Sequence, residues 1–286
     1  MERIAEALTK SGHRVTVVST QGPQTAAGIA REHVERGASL IVAAGGDGTI
    51  NEVAEGLMHS QVPLAILPGG TANVLASELK LGWDLVAVAG RLAEFVPCRI
   101  SLGHVTCDQG RVSRHFVLMA GIGLDAHIVY HVNGPLKDQA GKLAYWLAGT
   151  SLLGKRLPQI RAEAAGRRYI CSFALLSKVK NYGGDFEIAQ EVTLFDKRFE
   201  AVLFEGTSTT RYVGYLLALM TRRLGGMKGV TVIRTDRMKL SAGDSRVYVQ
   251  IDGEYAGRLP AEVKVVPDAL TILLPPEYCE STRPKS

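Results

Sequence analysis

No apolar run in this 286-residue chain approaches the ~20 residues that a membrane-spanning helix needs. The longest candidate, residues 143–153, is interrupted by Gly149, Thr150 and Ser151. A secretory signal is missing too, because the opening residues MERI lead into an amphipathic pattern that includes acidic side chains. These absences predict a cytoplasmic protein without a membrane span.

Cysteine is scarce, and its spacing excludes two structural frameworks. The four cysteines lie far apart and form no CxxC pair: Cys98, Cys107, Cys171 and Cys279. A disulfide scaffold needs a denser pattern, and a zinc site needs closely spaced pairs. We therefore expect reduced thiols, as is typical of a cytosolic protein.

Charge is distributed unevenly along the chain. Residues 1–95 carry 7 Lys or Arg and 10 Asp or Glu, a net charge of −3, whereas residues 96–286 carry 26 and 18, a net charge of +8. A basic second half suits a phosphate-rich or anionic membrane surface, although a solvated surface explains it equally well. Basic residues are not interleaved with aromatic ones and no helix–turn–helix pattern occurs, so nucleic acid is not expected as a partner.

Residues 1–95 alternate short apolar strands with amphipathic helices. The predicted strands are residues 13–19, 39–44 and 63–67, and the predicted helices are residues 1–10, 24–36, 50–58 and 72–81. Repeated strand–helix units imply a mainly parallel sheet with helices on its faces. The expected fold class of this segment is therefore an α/β domain.

After residue 96, strands that alternate apolar and polar residues dominate, as antiparallel strands exposed on one face do. The predicted strands are residues 99–107, 114–120, 168–176, 198–204, 230–234, 238–242, 246–251, 262–266 and 270–274, with helical stretches at 137–153 and 211–224. We therefore expect two domains, an α/β domain at 1–95 and a β-rich antiparallel sandwich at 96–286.

The segment AAGGDGTINE, residues 43–52, places three glycines in four positions between a predicted strand and a predicted helix. Glycine allows a ligand to approach the backbone closely, and a helix start presents unpaired N–H groups and a positive dipole end. The pattern is typical of a phosphate-binding loop in which Asp47 reaches an ordered or metal-bound water and Thr49 donates its hydroxyl. A tight turn with Asp or Thr as the helix cap explains the same residues.

A second loop, LPGGTAN at residues 67–73, repeats this design one strand later. Adjacent parallel strands bring both loops to the same carboxyl edge of the sheet, where open α/β sheets bind ligands. Two such loops favour a nucleoside triphosphate as the ligand, although no Walker A sequence GxxxxGK[ST] occurs.

GGDGTINE resembles the nucleotide loop shared by diacylglycerol kinases, sphingosine kinases and NAD kinases. Four further segments resemble the bacterial diacylglycerol kinase-like lipid kinases and occur in that family's order: LPGGTAN, AGIGLDA (residues 120–126), NYGGDFEIA (181–189) and QIDGE (250–254). The resemblance covers nearly the whole chain. It implies an ATP-dependent kinase that phosphorylates a lipid hydroxyl.

The resemblance implies a nucleotide site built from both glycine loops, with ATP and Mg²⁺ as cofactors. Its expected residues are Thr20, Gly45, Gly46, Asp47, Gly48, Thr49, Ile50, Asn51, Gly69, Gly70, Thr71 and Asn73. Asp125 is expected to join Asp47 in a network of water and magnesium, and the resemblance implies that both carboxylates are catalytic. A cap for the helix that follows is the alternative role of Asp125.

The turn Asp252-Gly-Glu254 closes a predicted strand, and a glycine between two carboxylates can point both of them towards a ligand. Phosphoryl transfer to an alcohol needs a group that accepts the hydroxyl proton. The family assigns that role to this DGE turn, so Asp252 and Glu254 are together expected to be catalytic. A hairpin turn of the D-G type is the structural alternative.

The resemblance also implies a structural magnesium in a second-domain loop. Its expected ligands are the Asp196 carboxylate and the main-chain oxygens of Thr193 and Arg198. Lys197 stands where relatives usually have glycine, and it flanks the site together with Arg198. Two nearby cations oppose the binding of a metal ion.

Two departures from the family pattern bear on the substrate. Relatives usually begin with a strand that ends in an Asn-Pro-x-x-Gly loop, whereas this chain begins inside the following helix, and Val74 stands where many diacylglycerol kinases have Asp. Because of Val74, we expect an unspecified lipid alcohol as the substrate and not strictly diacylglycerol. Peripheral contact with an anionic membrane and a homodimer are the further partners considered. The alternatives are an NAD kinase and a catalytically impaired lipid- or nucleotide-binding pseudokinase.

Overall fold

The computed structural model describes residues 1–124, 126, 156–183, 186–221, 223–224, 226–243 and 247–282. The chain forms two compact units, one from Met1–Ser101 with Pro267–Ser286 and the other from Leu102–Val266. The end of the chain thus returns to the first unit, so the second unit is shorter than the expected 96–286 segment. The helix expected at 137–153 lies outside the described residues.

The first unit is an α/β domain. Its elements are α1 (Glu2–Lys10), α2 (Ala26–Glu35), β1 (Ile41–Gly45), α3 (Asp47–Gly56), β2 (Leu64–Pro68), α4 (Val74–Glu78), α5 (Leu85–Arg91), the start of β3 (Val96–Cys107), the end of β16 (Ala261–Leu274) and α7 (Pro276–Thr282). β1 pairs with β2 in parallel, and β2 pairs in parallel with β16 where Ile272 lies opposite Leu64. β2 is buried along its whole length because it is the middle strand of these three. The expected parallel sheet is confirmed.

The strand predicted at residues 13–19 is wrong. The segment forms neither helix nor strand, and Val17 and Val18 are 51% and 46% exposed. Alternating valines favour a strand, but a strand also requires a neighbour whose N–H and C=O groups pair with its own. No such neighbour pairs with this segment within the described part of the chain.

Helices α2 and α3 pack closely at Gly56. A Cβ atom at this position would lie 2.4 Å from the carbonyl oxygen of Ala27, so only glycine fits. Glu52 of α3 strengthens the same contact, because its carboxylate accepts hydrogen bonds from the N–H groups of Gln24 (2.7 Å) and Ala26 (3.0 Å) at the start of α2. The last residue of the GGDGTINE segment therefore orients a helix.

The second unit is an antiparallel sandwich, as expected. Its elements are the rest of β3, β4 (Val112–Phe116), β5 (Met119–Gly123), β6 (Ile160–Ala164), β7 (Arg167–Cys171), β8 (Phe173–Ser177), β9 (Asn181–Gly183), β10 (Phe186–Glu187), β11 (Phe199–Phe204), α6 (Thr209–Met220), β12 (Val230–Thr235), β13 (Arg237–Ala242), β14 (Tyr248–Ile251), β15 (Glu254–Arg258) and the start of β16. One sheet has the strand order β12-β11-β8-β5-β14-β15, and the other pairs β16 with β13, β13 with β6 and β6 with β7. Apolar side chains of both sheets, such as Phe116, Phe199 and Met238, form one buried core.

Two segments predicted as single strands divide between the two sheets. Residues 114–120 become β4 and β5, and residues 168–176 become β7 and β8 with a break at Ser172. At the first break the N–H groups of Val117 and Leu118 donate to the Asp252 carboxylate (2.8 and 3.0 Å). At the second, the Ser172 hydroxyl bonds to a tyrosine hydroxyl at 2.8 Å. At the first break a carboxylate therefore takes the place of strand-ladder partners. At the second, the Ser172 N–H still donates to the carbonyl oxygen of Phe204 at 2.9 Å, and the side-chain contact with the tyrosine is additional.

The cysteines and the described helices agree with the absences noted in the sequence. All four cysteines are buried and unbridged, with the Sγ atoms of Cys98 and Cys279 3.4 Å apart. Burial raises the pKa of Cys107 to about 11 and that of Cys171 to about 12, so neither thiol is a ready nucleophile. The longest described helix, α6, has 12 residues, and none of the described helices is long and apolar enough to cross a membrane.

Candidate functional site

The two glycine loops lie side by side at the carboxyl ends of β1 and β2. Gly45 is the register partner of Pro68, and the N–H of Gly69 donates to the carbonyl oxygen of Gly45 at 2.9 Å. The parallel pairing therefore brings the two loops together, as the sequence predicts.

The backbones of the two loops are in direct contact, and this contact requires glycine. A Cβ atom on Gly70 would lie 2.5 Å from the Cα atom of Gly46, and one on Gly69 would lie 3.2 Å from the Cα atom of Gly45. The glycines thus have a structural purpose in addition to leaving room for a ligand. They allow two adjacent strand–helix turns to form one continuous backbone surface.

Asn73 shapes the second loop from inside. Its buried side chain accepts a hydrogen bond from the N–H of Gly70 at 2.8 Å and donates one to the carbonyl oxygen of Gly70 at 2.6 Å. Its backbone adopts the left-handed conformation, with φ 45°. Both polar ends of the amide are therefore used within the loop, which argues against the direct nucleotide contact expected for Asn73.

Asp47 caps the helix that follows the neighbouring loop. Its two carboxylate oxygens accept hydrogen bonds from the N–H groups of Val74 (3.0 Å) and Leu75 (3.3 Å) in the first turn of α4. The carboxylate thereby fills the anion position at the start of α4 and ties the first loop to the second. The sequence left open a cap on the helix of the same loop, whereas the N-cap of α3 is Gly46 and Asp47 caps the helix after the other loop.

The start of α3 presents backbone donors at the surface of the first loop. Gly46 is the N-cap, so Gly48 and Thr49 lie in the first turn, whose N–H groups have no acceptor within the helix. The Thr49 side chain folds back over Gly45, where an added Cβ would lie 2.9 Å from its hydroxyl oxygen. In contrast, Ile50 and Asn51 are buried in α3, and their side chains do not reach this surface.

Two threonines of the expected nucleotide site are exposed. Thr71 follows the second glycine pair, so its hydroxyl lies at the tip of that loop. Thr20 ends the segment in which no strand forms, and nothing in the described fold places it beside the loops. Thr71 thus fits the expected site, while the expected position of Thr20 at a strand end is wrong.

Asp252 holds the acidic turn in the second unit. Its carboxylate accepts three backbone hydrogen bonds, from the N–H groups of Val117 (2.8 Å), Leu118 (3.0 Å) and Met119 (2.9 Å). Its φ of 48° places it in the left-handed region, and Gly253 follows with φ 79°, as in a tight hairpin between β14 and β15. Asp252 therefore fixes both the hairpin and the β4–β5 crossover.

Glu254 has a different environment two residues later. Its side chain is 39% exposed, and Oε2 accepts a hydrogen bond from Arg114 Nη2 at 3.0 Å. Arg114 lies on β4, and nothing in its local sequence indicates this partner. Both carboxylates of this turn are partly exposed, but Asp252 is committed to three backbone hydrogen bonds, whereas Glu254 is bonded to one side chain.

The loop at residues 193–198 does not fit the expected magnesium ion. Asp196 Oδ1 bonds to the guanidinium of Arg234, and Asp196 Oδ2 accepts from the N–H and hydroxyl of Thr193 at 2.8 and 3.0 Å. The main-chain oxygen of Asp196 accepts a hydrogen bond from Lys178 Nζ. Burial lowers the pKa of Lys178 to about 8, while the negative charge of Asp196 acts to raise it.

Two further expectations concern metal binding and Asp125. The described residues contain no cluster of three or more His, Cys, Asp or Glu that would hold a metal ion. Asp125, the fourth expected catalytic residue, lies outside the described residues, so its role stays a prediction.

Comparison with known families agrees with this arrangement of fold and loops. Residues 1–105 match the diacylglycerol kinase catalytic domain, and residues 119–274 match the YegS C-terminal NAD kinase beta sandwich-like domain. An α/β unit with paired glycine loops and an antiparallel sandwich therefore define a protein of the diacylglycerol kinase and NAD kinase-like class. Within that class, the chain belongs to the family of diacylglycerol kinase-like phosphotransferases, which act on an alcohol group.

Relatives with known names cover nearly the whole chain. The diacylglycerol kinase of Bacillus subtilis is 26% identical over 287 residues, which cover 98% of this chain and 92% of the relative. The diacylglycerol kinase of Staphylococcus haemolyticus is 25% identical over 264 residues, covering 89% and 76%. A crystal structure of a diacylglycerol kinase from Bacillus anthracis superposes with a TM-score of 0.77 at 19% identity, covering 96% of this chain and 91% of that one, which confirms the fold.

Proposed function

We propose that this protein transfers the γ-phosphoryl group of ATP to the hydroxyl group of a lipid alcohol. The observation that carries the proposal is the direct backbone contact between the loops at Gly45–Gly46 and Gly69–Gly70. Two coincidental turns have no need for such a contact, whereas a polyphosphate needs one continuous surface of backbone donors. The named relatives, which are diacylglycerol kinases, support the lipid branch of the class.

We assign fewer residues to the nucleotide than the sequence predicts. We assign the phosphates to the first-turn N–H groups of α3, at Gly48 and Thr49, and to the hydroxyls of Thr49 and Thr71. The N–H groups of Gly69 and Gly70 already donate within the loops, so they shape the surface and do not bind phosphate. Because the start of α4 is capped by a carboxylate, α3 supplies the helix dipole for the anion.

Glu254 is the proton acceptor in this proposal. As the lipid oxygen forms its bond to the γ-phosphorus, the bond from that phosphorus to the β-phosphate oxygen breaks and ADP leaves. The hydroxyl proton passes to the Glu254 carboxylate, whose exposed position allows it to meet a substrate. Asp252 acts as a positioning residue, because its oxygens accept three backbone hydrogen bonds.

The proposal names the substrate and the metal ion by their chemistry: a lipid alcohol and the magnesium ion bound to ATP. ATP would enter as its magnesium complex, in which the ion offsets the charge of the phosphates. Peripheral contact with an anionic membrane follows from the net charge of +8 on residues 96–286.

The test is a transfer assay with ATP labelled at the γ-phosphate. The purified chain is incubated with a mixed lipid extract and, in a parallel reaction, with NAD. We expect label in the lipid phase and none on NAD. Glu254→Gln and Gly70→Ala should each abolish the transfer, while Gly28→Ala, at an exposed α2 position with open space around it, should not.

Two outcomes would contradict the proposal. Label on NAD without label in the lipid phase would identify an NAD kinase. A folded chain that binds ATP but transfers no label to lipid, NAD or water would identify a pseudokinase.

A further inference from the structure

The loop at residues 193–198 contains cations of the chain itself at the place where the family resemblance implies a structural magnesium ion. Lys178 Nζ donates to the main-chain oxygen of Asp196, and the Arg234 guanidinium bonds to its carboxylate. We propose that the Lys178 ammonium is a built-in replacement for a divalent cation in this loop, with Arg234 neutralising the carboxylate. The loop is then held in place without a metal ion.

The burial of Lys178 supports this role. The residue is fully buried, and an ammonium group without water must be solvated by oxygen atoms of the protein. Main-chain carbonyl and carboxylate oxygens are also the ligands that magnesium takes in proteins. The ammonium takes the main-chain oxygen of Asp196, while Arg234 and Thr193 engage the carboxylate that a magnesium ion would need. Unlike a bound ion, the Lys178 side chain cannot dissociate from the protein.

Both cationic side chains belong to residues in or next to strands of the sandwich, and not to the loop itself. Lys178 directly follows the last residue of β8, and its N–H donates to the carbonyl oxygen of Leu118 at 2.8 Å. Arg234 lies on β12, opposite Glu200 of β11. Because β8, β11 and β12 are neighbours in one sheet, the sheet fixes the backbone positions from which the two charged side chains extend.

Electrostatics opposes a divalent ion in addition to these groups. Asp196 is the one acidic residue in the 193–198 segment, which also contains exposed Lys197 and Arg198. A magnesium ion would place two more positive charges beside a buried ammonium, where Coulomb repulsion is screened less than at a surface. Its entry would also require Asp196 to release Arg234 or Thr193.

Thermal unfolding of the full chain without nucleotide tests this proposal. Wild-type protein should melt at the same temperature in a chelator and in millimolar magnesium chloride. Lys178→Asn removes the charge and supplies an amide oxygen, so its Tm should fall in the chelator and recover with magnesium. Lys178→Met offers no oxygen, so its Tm should fall and stay low in both buffers.

One control variant and three contrary outcomes complete this test of the Lys178 proposal. Lys197→Ala, an exposed lysine of the same loop, should leave the Tm unchanged in both buffers. A fall of the wild-type Tm on chelation would overturn the proposal, as would calorimetric magnesium binding by the wild type that Asp196→Asn abolishes. A Tm of Lys178→Asn that does not respond to magnesium would overturn it too.

If the Lys178 variants fail to fold, the wild-type melting and calorimetry decide alone. None of these measurements depends on phosphoryl transfer, so their failure is distinguishable from failure of the proposed function.

Discussion

Asp252 and Glu254 are separated by one glycine, yet the fold gives them different tasks. Asp252 is surrounded by three backbone donors, while Glu254 has one arginine partner and access to solvent. A carboxylate that anchors a turn and a crossover is unsuited to collect a proton, because protonation would break those hydrogen bonds. The fold therefore separates two residues whose roles the sequence could not apportion.

We expect Glu254→Gln to lower kcat by roughly 10²–10⁴-fold, because it removes the proton acceptor. Its Tm should stay near that of the wild type, since the side chain is partly exposed. Asp252→Asn should instead lower the Tm, because its amide group would face backbone N–H donors. The reverse result, a stable inactive Asp252→Asn and an active Glu254→Gln, would exchange the two roles.

Asp47 is expected to act on the nucleotide through the neighbouring loop. Asp47→Ala removes the cap of α4 and should cost about 1 kcal/mol of unfolding free energy. The KM for ATP should rise as well, because the cap ties the two loops together. Denaturant unfolding and steady-state kinetics measure the two effects.

Asp84 provides a matched control for this prediction. It caps α5 in the same way, through the N–H groups of Val86 (3.0 Å) and Ala87 (3.1 Å). Asp84→Ala should therefore lower stability by a similar amount and leave the KM for ATP unchanged. An equal rise of KM in both variants would assign the effect to general destabilisation.

The paired loops are the element on which nucleotide binding depends. Gly70→Ala should abolish ATP binding, because its Cβ would lie 2.5 Å from the Cα atom of Gly46 and the loops must separate. Titration calorimetry with a non-hydrolysable ATP analogue measures the loss. Gly28→Ala, in the interior of α2, should keep affinity and add about 0.5–1 kcal/mol of stability. Unchanged affinity of Gly70→Ala would argue against the joint phosphate surface.

Helix α3, which begins in the first glycine loop, packs on α2 at Gly56. Gly56→Ala should cost about 1–3 kcal/mol, because the added Cβ meets the Ala27 carbonyl oxygen at 2.4 Å. A denaturant melt compared with that of Gly28→Ala separates this clash from the intrinsic preference of helices for alanine over glycine. A stabilised Gly56→Ala would show that the two helices can move apart freely.

Several elements were predictable because their signals are local. Valine- and leucine-rich runs followed by glycine identified β1 and β2, and an amphipathic pattern identified α1. Residues 114–120 and 168–176 read as continuous strands because the apolar pattern runs through the break. The groups that divide them, Asp252 and the partner of Ser172, lie far away in sequence.

In the described part of the second unit, one face of the sheet that contains β6, β13 and β16 carries exposed basic residues. On the side of β13, β6 and β16 that faces away from the core, the exposed basic residues include Arg161, Lys239 and Lys264. Some charges in this sheet are already paired, such as Arg237 with Glu262 at 2.7 Å. The proposed contact with anionic lipid rests on the remaining cations.

We expect the protein to sediment with vesicles that contain anionic lipid and to be released by salt, because screening shortens the range of these charges. Lys239→Glu should weaken vesicle binding more than Lys10→Glu, which makes the same charge change in the acidic first segment. Equal binding to neutral and anionic vesicles, or equal effects of the two substitutions, would contradict this surface.

The linear order of residues was sufficient for the fold class, the two glycine loops and the family, because each depends on short segments read in order. Tertiary packing decided which donors remain for phosphate, which carboxylate holds the acidic turn, and which cations lie beside Asp196. Those outcomes depend on pairs such as Asp47 with Val74, Arg114 with Glu254 and Lys178 with Asp196. Such pairs form only after strands from distant parts of the chain have taken their places in a sheet, so no local pattern encodes them.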